Sequence, residues 1–256
     1  MTSLRILAVL LGAAALVACD KTQVQDITGP MGNSRIKFFN FGVNAPAVNF
    51  YVADRKVTAV VSTTGQESTN GVSYGGVGSG GLYSAVDPGS YAVTGRIAAA
   101  TDKDLTIAGL TATIEDGKFY SFYMSGIYNT TAKSAESFLV EDAFPAAIDY
   151  TQAYVRFVHA ISNANPLTLY AKNTTTLAEV AVGAQVSYKS GGAFAALPQG
   201  VYDLGARYAG ASTNAVSRTA VSFVAGRVYT IGARGDITVT SGTATNRPFL
   251  DNTTNR

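Results

Sequence analysis

The stretch SGGLYSAVDPGSY, from Ser79 to Tyr91, recurs without a gap as SGGAFAALPQGVY, from Ser190 to Tyr202. Four further blocks recur in the same order: Ile36–Phe39 with Val155–Val158, Val48–Tyr51 with Leu167–Tyr170, Val72–Tyr74 with Val186–Tyr188, and Gly117–Ser121 with Gly226–Thr230. Their spacing is far longer than the roughly 20 to 50 residues of solenoid repeats, so each copy is a whole domain. We therefore expect domains at residues 34–146 and 152–248, followed by a polar tail at 249–256.

Within each copy the apolar residues recur with the period of a β-strand. Tyr91, Val93 and Ile97 alternate with small or polar residues, and Val155 and Phe157 do the same. Clusters of Gly, Asn, Asp and Pro separate such runs, and the sequence after residue 19 has no sustained helical stripe. The sequence predicts an all-β fold of two tandem immunoglobulin-like antiparallel β-sandwiches. The immunoglobulin Cys pair and Trp are missing, so this prediction concerns the architecture alone.

Residues 1–18 have the composition of a bacterial signal peptide. The apolar run from Ile6 to Val17 is shorter than the roughly 20 residues that span a bilayer. It ends in Leu16-Val17-Ala18-Cys19, which resembles the lipobox of bacterial lipoproteins. The resemblance implies cleavage between Ala18 and Cys19 and lipid on the Cys19 thiol. We expect residues 19–33 to be the lipidated N-terminus and a flexible tether, because the residues after Cys19 are polar and show no apolar period. An ordinary signal peptide with a chance cysteine is the alternative.

The two copies also share family features. The second opens with Val155–Ala160 and continues to Pro166, the first has the related block Ala45–Val52, and a Pro/Gly turn leads into Tyr91 or Tyr202. In these blocks the chain resembles a bacterial envelope family named domain of unknown function 4397, over nearly the whole mature sequence. The resemblance implies secreted or lipid-anchored β-sandwich modules, often in tandem. It implies no activity.

The composition excludes several classes of function. Charged residues make up 14% of the chain, and 19 basic against 17 acidic side chains give a net charge of +2. A nucleic-acid-binding protein usually has a clear excess of Lys and Arg, which this chain lacks. One cysteine cannot form an intrachain disulfide, and one histidine with one cysteine argues against a zinc site. We therefore expect no metal and no cofactor.

The one histidine, His159, is the candidate for acid–base chemistry. It ends the strand of Val155 and Phe157, and its counterpart in the first copy is Asn40, which cannot act as a base near neutral pH. We expect His159 to hydrogen-bond the backbone of the loop at 162–166. A hydrolase with His159 as its base is kept as a second alternative function.

A glycine-rich segment in the first copy matches a nucleotide-binding pattern. Gly76, Gly78 and Gly81 fit G-x-G-x-x-G, but such a loop needs a following helix. The residues that follow, 82–89, predict a strand and a turn instead. We expect a mobile loop or a bulge, and a binding role confined to the first domain stays open.

Two acidic pairs are candidates for a calcium site. Asp102 and Asp104 flank a lysine, and a calcium site usually has more oxygen ligands than this. Glu141 and Asp142 lie near the domain junction. We expect all four in solvated loops.

Tyr74, Tyr83, Tyr123 and Tyr128 are the candidates for contacts with a ligand or partner. Exposed tyrosines can anchor protein or glycan contacts, and core packing or cross-strand pairing is the alternative. The expected function is a non-catalytic binding or structural role in a lipid-anchored protein of the bacterial cell envelope, facing the periplasm or cell surface. Its expected partners are the membrane, through the anchor, and an envelope protein or polysaccharide. A glycan or cell-wall polymer binding module is the first alternative.

Overall fold

The described part of the chain folds into eighteen β-strands that form two successive sets of nine. The structure is a computed structural model that describes residues 33–59 and 62–256. Repeat 1 comprises β1 (Ser34–Asn40), β2 (Val48–Val52), β3 (Arg55–Lys56), β4 (Gly76–Val77), β5 (Ser84–Val86), β6 (Gly89–Ile97), β7 (Thr106–Ile114), β8 (Phe119–Asn129) and β9 (Ser134–Glu141). Repeat 2 comprises β10 (Gln152–His159), β11 (Leu167–Asn173), β12 (Glu179–Ala181), β13 (Ser190–Gly191), β14 (Ala195–Pro198), β15 (Gly200–Tyr208), β16 (Val216–Phe223), β17 (Val228–Arg234) and β18 (Phe249–Thr254). These residues contain no α-helix, which confirms the predicted all-β class.

The nine strands of each repeat pair in the same way. Repeat 1 has a five-stranded sheet in the order β4-β1-β8-β9, with β5 also paired to β1, and a four-stranded sheet in the order β3-β2-β6-β7. Repeat 2 has the orders β13-β10-β17-β18, with β14 paired to β10, and β12-β11-β15-β16. Every strand of repeat 2 therefore corresponds to the strand nine places earlier. The prediction of two tandem β-sandwiches is confirmed.

One pair of strands in each repeat is parallel, which the antiparallel prediction did not include. β1 runs parallel to β8 and β10 runs parallel to β17, whereas the other named pairs are antiparallel. Parallel neighbours need a long connection between them. The strands between β1 and β8 supply that connection.

Each repeat buries a hydrophobic core between its two sheets. Val93 and Phe157 of the predicted alternation point inward, as do Phe38, Phe50 and Phe122 in repeat 1 and Leu169, Leu204 and Ile231 in repeat 2. The five-stranded sheets carry a second set of apolar residues on their other faces, and there the two repeats meet. The four sheets therefore form a stack, with the five-stranded sheets in the middle.

The last residues form a strand, so the predicted polar tail at 249–256 was wrong. β18 pairs antiparallel with β17, from Tyr229 opposite Thr254 to Arg234 opposite Phe249. Leu250 is fully buried in the core of repeat 2. The segment is mostly polar, and one inward apolar residue is too weak a pattern to predict a strand.

The predicted signal peptide at 1–18, the cleavage site at Ala18 and Cys19, and the tether up to residue 32 lie outside the described residues. They stay predictions. Within 33–59 and 62–256, no helix has the length and apolar character to cross a membrane.

Candidate functional site

The two repeats meet through their five-stranded sheets, on the face of each sheet that points away from the core of its own repeat. Repeat 1 contributes Phe39, Phe41, Tyr123 and Phe138, whose neighbouring ring centroids are 4.5 to 5.6 Å apart. Repeat 2 contributes the buried residues Val158 and Ala160. We call these six residues the interface core. It joins the two sandwiches into one continuous apolar structure.

A buried ion pair links the repeats beside the interface core. Arg156 on β10 pairs with Asp142, which follows β9, and their side chains are 1% and 0% exposed. Arg156 also donates to the Thr230 hydroxyl oxygen and to the Glu141 carbonyl oxygen, both at 3.0 Å. The guanidinium of repeat 2 is therefore held mainly by acceptors of repeat 1.

Further hydrogen bonds satisfy the carboxylate of Asp142. The hydroxyl of Tyr83 donates to it at 2.6 Å and that of Ser121 at 2.8 Å. The prediction that Asp142 lies in a solvated loop was wrong, although its neighbour Glu141 is exposed as expected. The side chain that buries and neutralises Asp142 belongs to the other repeat, so the local sequence holds no sign of it.

Lys37 on β1 is a second buried cation in the same region and is 1% exposed. Its Nζ donates to the Thr254 carbonyl oxygen at 3.3 Å and lies 4.3 Å from the ring centroid of Tyr83. Burial lowers the pKa of Lys37 to about 8, a shift that the charge of Asp142 opposes and that of Arg156 increases. Two buried cations thus share one buried carboxylate.

The polar contacts across the interface are reciprocal. Lys37 and Arg156 occupy equivalent positions, opposite Ser121 on β8 and Thr230 on β17 respectively. Each donates to a backbone carbonyl of the other repeat: Arg156 to that of Glu141, and Lys37 to that of Thr254. The repeats therefore approach each other with equivalent surfaces.

One residue breaks this reciprocity. The position equivalent to Asp142 in repeat 2 is Asn255, because Glu141 and Thr254 occupy matching places opposite their partner strands. The Asn255 amide donates to the Thr230 hydroxyl oxygen at 3.0 Å, and its Oδ1 atom has no hydrogen-bond partner among the described residues. Within that part of the chain, Lys37 therefore has no carboxylate of its own, whereas Arg156 has one.

Three of the four tyrosines predicted as ligand contacts lie at this interface. Tyr123 is fully buried there, so its prediction as a contact for an outside ligand was wrong. Tyr83 donates to the buried carboxylate of Asp142. The guanidinium of Arg234 lies 4.8 Å from the ring centroid of Tyr74. Tyr128 instead packs against the core of repeat 1. The structure does not bring the four rings together in one external site.

His159 is fully buried and bonded to backbone through both ring nitrogens. Its Nδ1 accepts from the N–H of Ile161, and its Nε2 donates to the carbonyl of Asn165, both at 3.2 Å. Burial lowers its pKa, which favours the neutral ring. Asn40 makes the equivalent bonds in repeat 1, accepting from the Gly42 N–H and donating to backbone carbonyls. The predicted hydrogen bonding of His159 to the loop backbone is confirmed.

A protein-family comparison agrees with the duplication of the chain. The family model described as "Domain of unknown function (DUF4397)" matches residues 34–170 and 153–256. The chain belongs to the DUF4397 family. No curated protein matches the sequence. Among solved structures, the Bacillus anthracis TIE protein is similar at 14% identity with a TM-score of 0.23, and the match covers 78% of this chain and 32% of that one.

The glycine-rich segment of the first DUF4397 repeat is a structural turn. Gly78–Gly81 forms a short 3₁₀ turn in which Ser79 has a φ of 52°. A Cβ at Gly78 would lie 2.6 Å from the Thr58 methyl, so glycine is needed for close packing. Strand β5 follows instead of a helix, as the sequence predicted.

The acidic pair at 102–104 is exposed, as predicted. Asp102 forms an ion pair with Lys133 at 2.7 Å, and Asp104 accepts from the Tyr51 hydroxyl at 2.8 Å. The described residues hold no group of three or more His, Cys, Asp or Glu side chains that could bind a metal ion.

An open groove of about 390 Å³ lies beside the ion pair, where the linker leaves repeat 1. Phe119 and Phe144 form its apolar wall, and the Arg256 guanidinium lies 5.0 and 4.5 Å from their ring centroids. Lys118 and Glu141 line its rim and pair with each other at 3.2 Å. The charged and aromatic side chains that line the groove therefore contact one another.

Sequence reasoning missed a pair of equivalent clusters on the outer faces of the two four-stranded sheets. The Arg96 guanidinium lies 4.2 Å from the Tyr51 ring centroid, and that of Arg207 lies 4.4 Å from the Tyr170 ring centroid. Both pairs fall at matching positions of the two copies, since each Arg follows Tyr91 or Tyr202 by five residues. That recurrence is the signal that could have revealed them. These clusters mark the outer sheet faces as surfaces that remain free of the other repeat.

Proposed function

We propose that this chain is a lipid-anchored protein of the bacterial cell envelope whose paired DUF4397 repeats have a non-catalytic binding or structural role. The observation that supports this role is that the buried ionisable side chains are already engaged in bonds within the protein. Asp142, Arg156 and Lys37 bond one repeat to the other, and His159 is bonded to backbone through both nitrogens. Groups that a hydrolase would use for acid–base chemistry are thereby engaged in holding the fold.

The anchor is proposed from the sequence. Cys19 ends the lipobox-like stretch directly after an apolar run of signal-peptide length. Acyl chains on its thiol and amine would hold the protein at a membrane, because each buried CH₂ contributes about 0.8 kcal/mol. The polar tether would leave the repeats standing off the lipid surface.

The anchor is tested by feeding cells an alkyne fatty acid and comparing Cys19→Ser with wild type. We expect label and membrane association in wild type and the loss of both in the variant. Ala18→Gly is the matched control, because it keeps a small residue before the cysteine and should retain the label. Membrane retention of unlabelled Cys19→Ser protein would reject the anchor.

The non-catalytic role is tested separately with a panel of ester, glycoside and peptide substrates. Wild type and His159→Asn should both be inactive and equally folded, because Asn40 makes equivalent bonds in repeat 1. Turnover by wild type that His159→Asn abolishes would favour the hydrolase alternative instead.

A further inference from the structure

Lys37 and Asn255 stand in the places that the buried ion pair fills in the other half of the interface. Arg156 bonds the carboxylate of Asp142 and the backbone carbonyl of the residue before it. Lys37 likewise donates, at 3.3 Å, to the backbone carbonyl of Thr254, the residue before Asn255. Because the repeats approach each other with equivalent surfaces, the Asn255 side chain faces Lys37 as the Asp142 side chain faces Arg156.

The Asn255 amide has a buried carbonyl oxygen without a partner. Its Nδ2 donates to the Thr230 hydroxyl oxygen at 3.0 Å, just as the Ser121 hydroxyl bonds one oxygen of Asp142 at 2.8 Å. The remaining atom, Oδ1, corresponds to the carboxylate oxygen of the ion pair, and it has no hydrogen-bond partner among the described residues. The side chain therefore presents an amide carbonyl on the side where Lys37 lies.

The surroundings favour the nucleophilic form of the Lys37 amine. The side chain is 1% exposed, and its Nζ lies 4.3 Å from the ring centroid of Tyr83. Burial lowers the pKa of the amine to about 8, so an appreciable fraction is uncharged at neutral to mildly alkaline pH. A desolvated lysine without its proton is a nucleophile for a carbonyl carbon. The negative charge of Asp142 stabilises the positive charge that Nζ gains during such an attack.

We propose that Nζ of Lys37 forms an isopeptide bond with Cγ of Asn255 and so links β1 of repeat 1 covalently to the end of repeat 2. The lone pair of Nζ attacks Cγ, and the Cγ–Nδ2 bond breaks with its electron pair on nitrogen. The proton that Nζ loses ends on the leaving nitrogen, against which the Thr230 hydroxyl is placed. The products are a secondary amide and one molecule of ammonia, so the reaction needs no co-reactant.

The link would fix one repeat on the other. It joins residues near the two ends of the described chain, and a cross-link between such distant residues stabilises a fold by restricting the unfolded state. Until the bond forms, Lys37 titrates as a free amine, whereas afterwards its nitrogen is an amide and takes up no proton. This inference does not depend on the lipid anchor or on the proposed binding role.

The test is the intact mass of residues 19–256, made without lipid and incubated at pH 9. Loss of ammonia should leave the wild-type protein about 17 Da lighter than its sequence predicts. Lys37→Arg keeps the charge but loses the nucleophile, and Asn255→Ala removes the electrophile, so both variants should have the full mass. Asn252→Ala is the matched control, because it removes another amide of the same strand and should keep the mass loss.

Peptide mapping of the wild-type protein locates the bond without relying on any variant to fold. An asparagine that cyclises to a succinimide also loses ammonia, so the digest must contain one branched peptide that joins the segments around Lys37 and Asn255. Wild-type protein of full mass after prolonged incubation would overturn the inference. So would a mass loss without the linked peptide.

Discussion

Asn255 decides the charge balance between the two repeats. Its counterpart Asp142 pairs with Arg156, whereas the amide of Asn255 leaves Lys37, among the described residues, with no buried carboxylate besides the one it shares with Arg156. A buried charge is costly unless an opposite charge and hydrogen bonds compensate for it. This one position therefore explains why the charge of Arg156 is compensated by its own carboxylate and that of Lys37 is not.

Exchanging acid and amide at these two positions should move stability in opposite directions. Asp142→Asn leaves two buried cations without a carboxylate and should lower the free energy of unfolding by about 3 to 5 kcal/mol. Asn255→Asp provides Lys37 with an acid and should raise it by on the order of 1 kcal/mol. Urea titration at pH 7 measures both. A neutral Asp142→Asn, or a strongly destabilising Asn255→Asp, would contradict the proposed balance.

Lys37 should make the protein more stable as the pH rises above 8. Its pKa falls from 10.5 to about 8 because the folded protein buries it, so between these values the unfolded chain binds more protons. The free energy of unfolding should therefore increase with pH in this window, by about 2 kcal/mol between pH 7.5 and 9.5, and should be insensitive to Lys37 below it.

Lys37→Met is the matched control for this pH dependence, since it keeps a long side chain without the charge. Its stability should lack the alkaline rise. Burial raises the pKa of Tyr83 and Tyr123, so these phenols lower stability only at higher pH, where the unfolded chain ionises first. An equal rise in wild type and Lys37→Met would assign the effect to another group.

At the scale of the elements, strands with a clear alternation were predictable and strands formed by pairing were not. β6 and β10 bury every second residue over part of their length, and their sequences indicate this directly. β13 has two residues and exists because it pairs with β10. β18 is mostly polar and depends on β17 for its hydrogen bonds.

Removal of β18 tests whether the end of the chain is a tail or a structural strand. A chain that stops after Pro248 loses buried Leu250 and exposes the edge of β17. We expect rapid proteolysis within repeat 2 and loss of the near-ultraviolet signal of its tyrosines. Leu250→Ala in the full chain isolates the core contribution and should cost about 2 to 5 kcal/mol. Unchanged protease resistance after truncation would restore the prediction of a tail.

At the scale of the whole molecule, the stack of four sheets uses both faces of its two inner sheets. The outer four-stranded sheets each bury one face and leave the other free, and there the Tyr51–Arg96 and Tyr170–Arg207 clusters lie. Partner contacts through sheet faces would therefore use these outer surfaces. The inner surfaces are committed to the pairing of the repeats.

The sequence by itself determined the all-β class, the duplication and the role of His159 in its loop, because period-2 alternation, recurring blocks and short-range hydrogen bonds are all local properties. Only the tertiary structure decided that Asp142, Arg156 and Lys37 would be buried together. Lys37 donates to a carbonyl 217 residues away, and no local pattern encodes such a contact. Arg156 alternates with apolar residues along its strand, and this pattern is the same whether its face of the sheet is exposed to solvent or covered by another repeat. Alternation therefore could not show that Arg156 is buried.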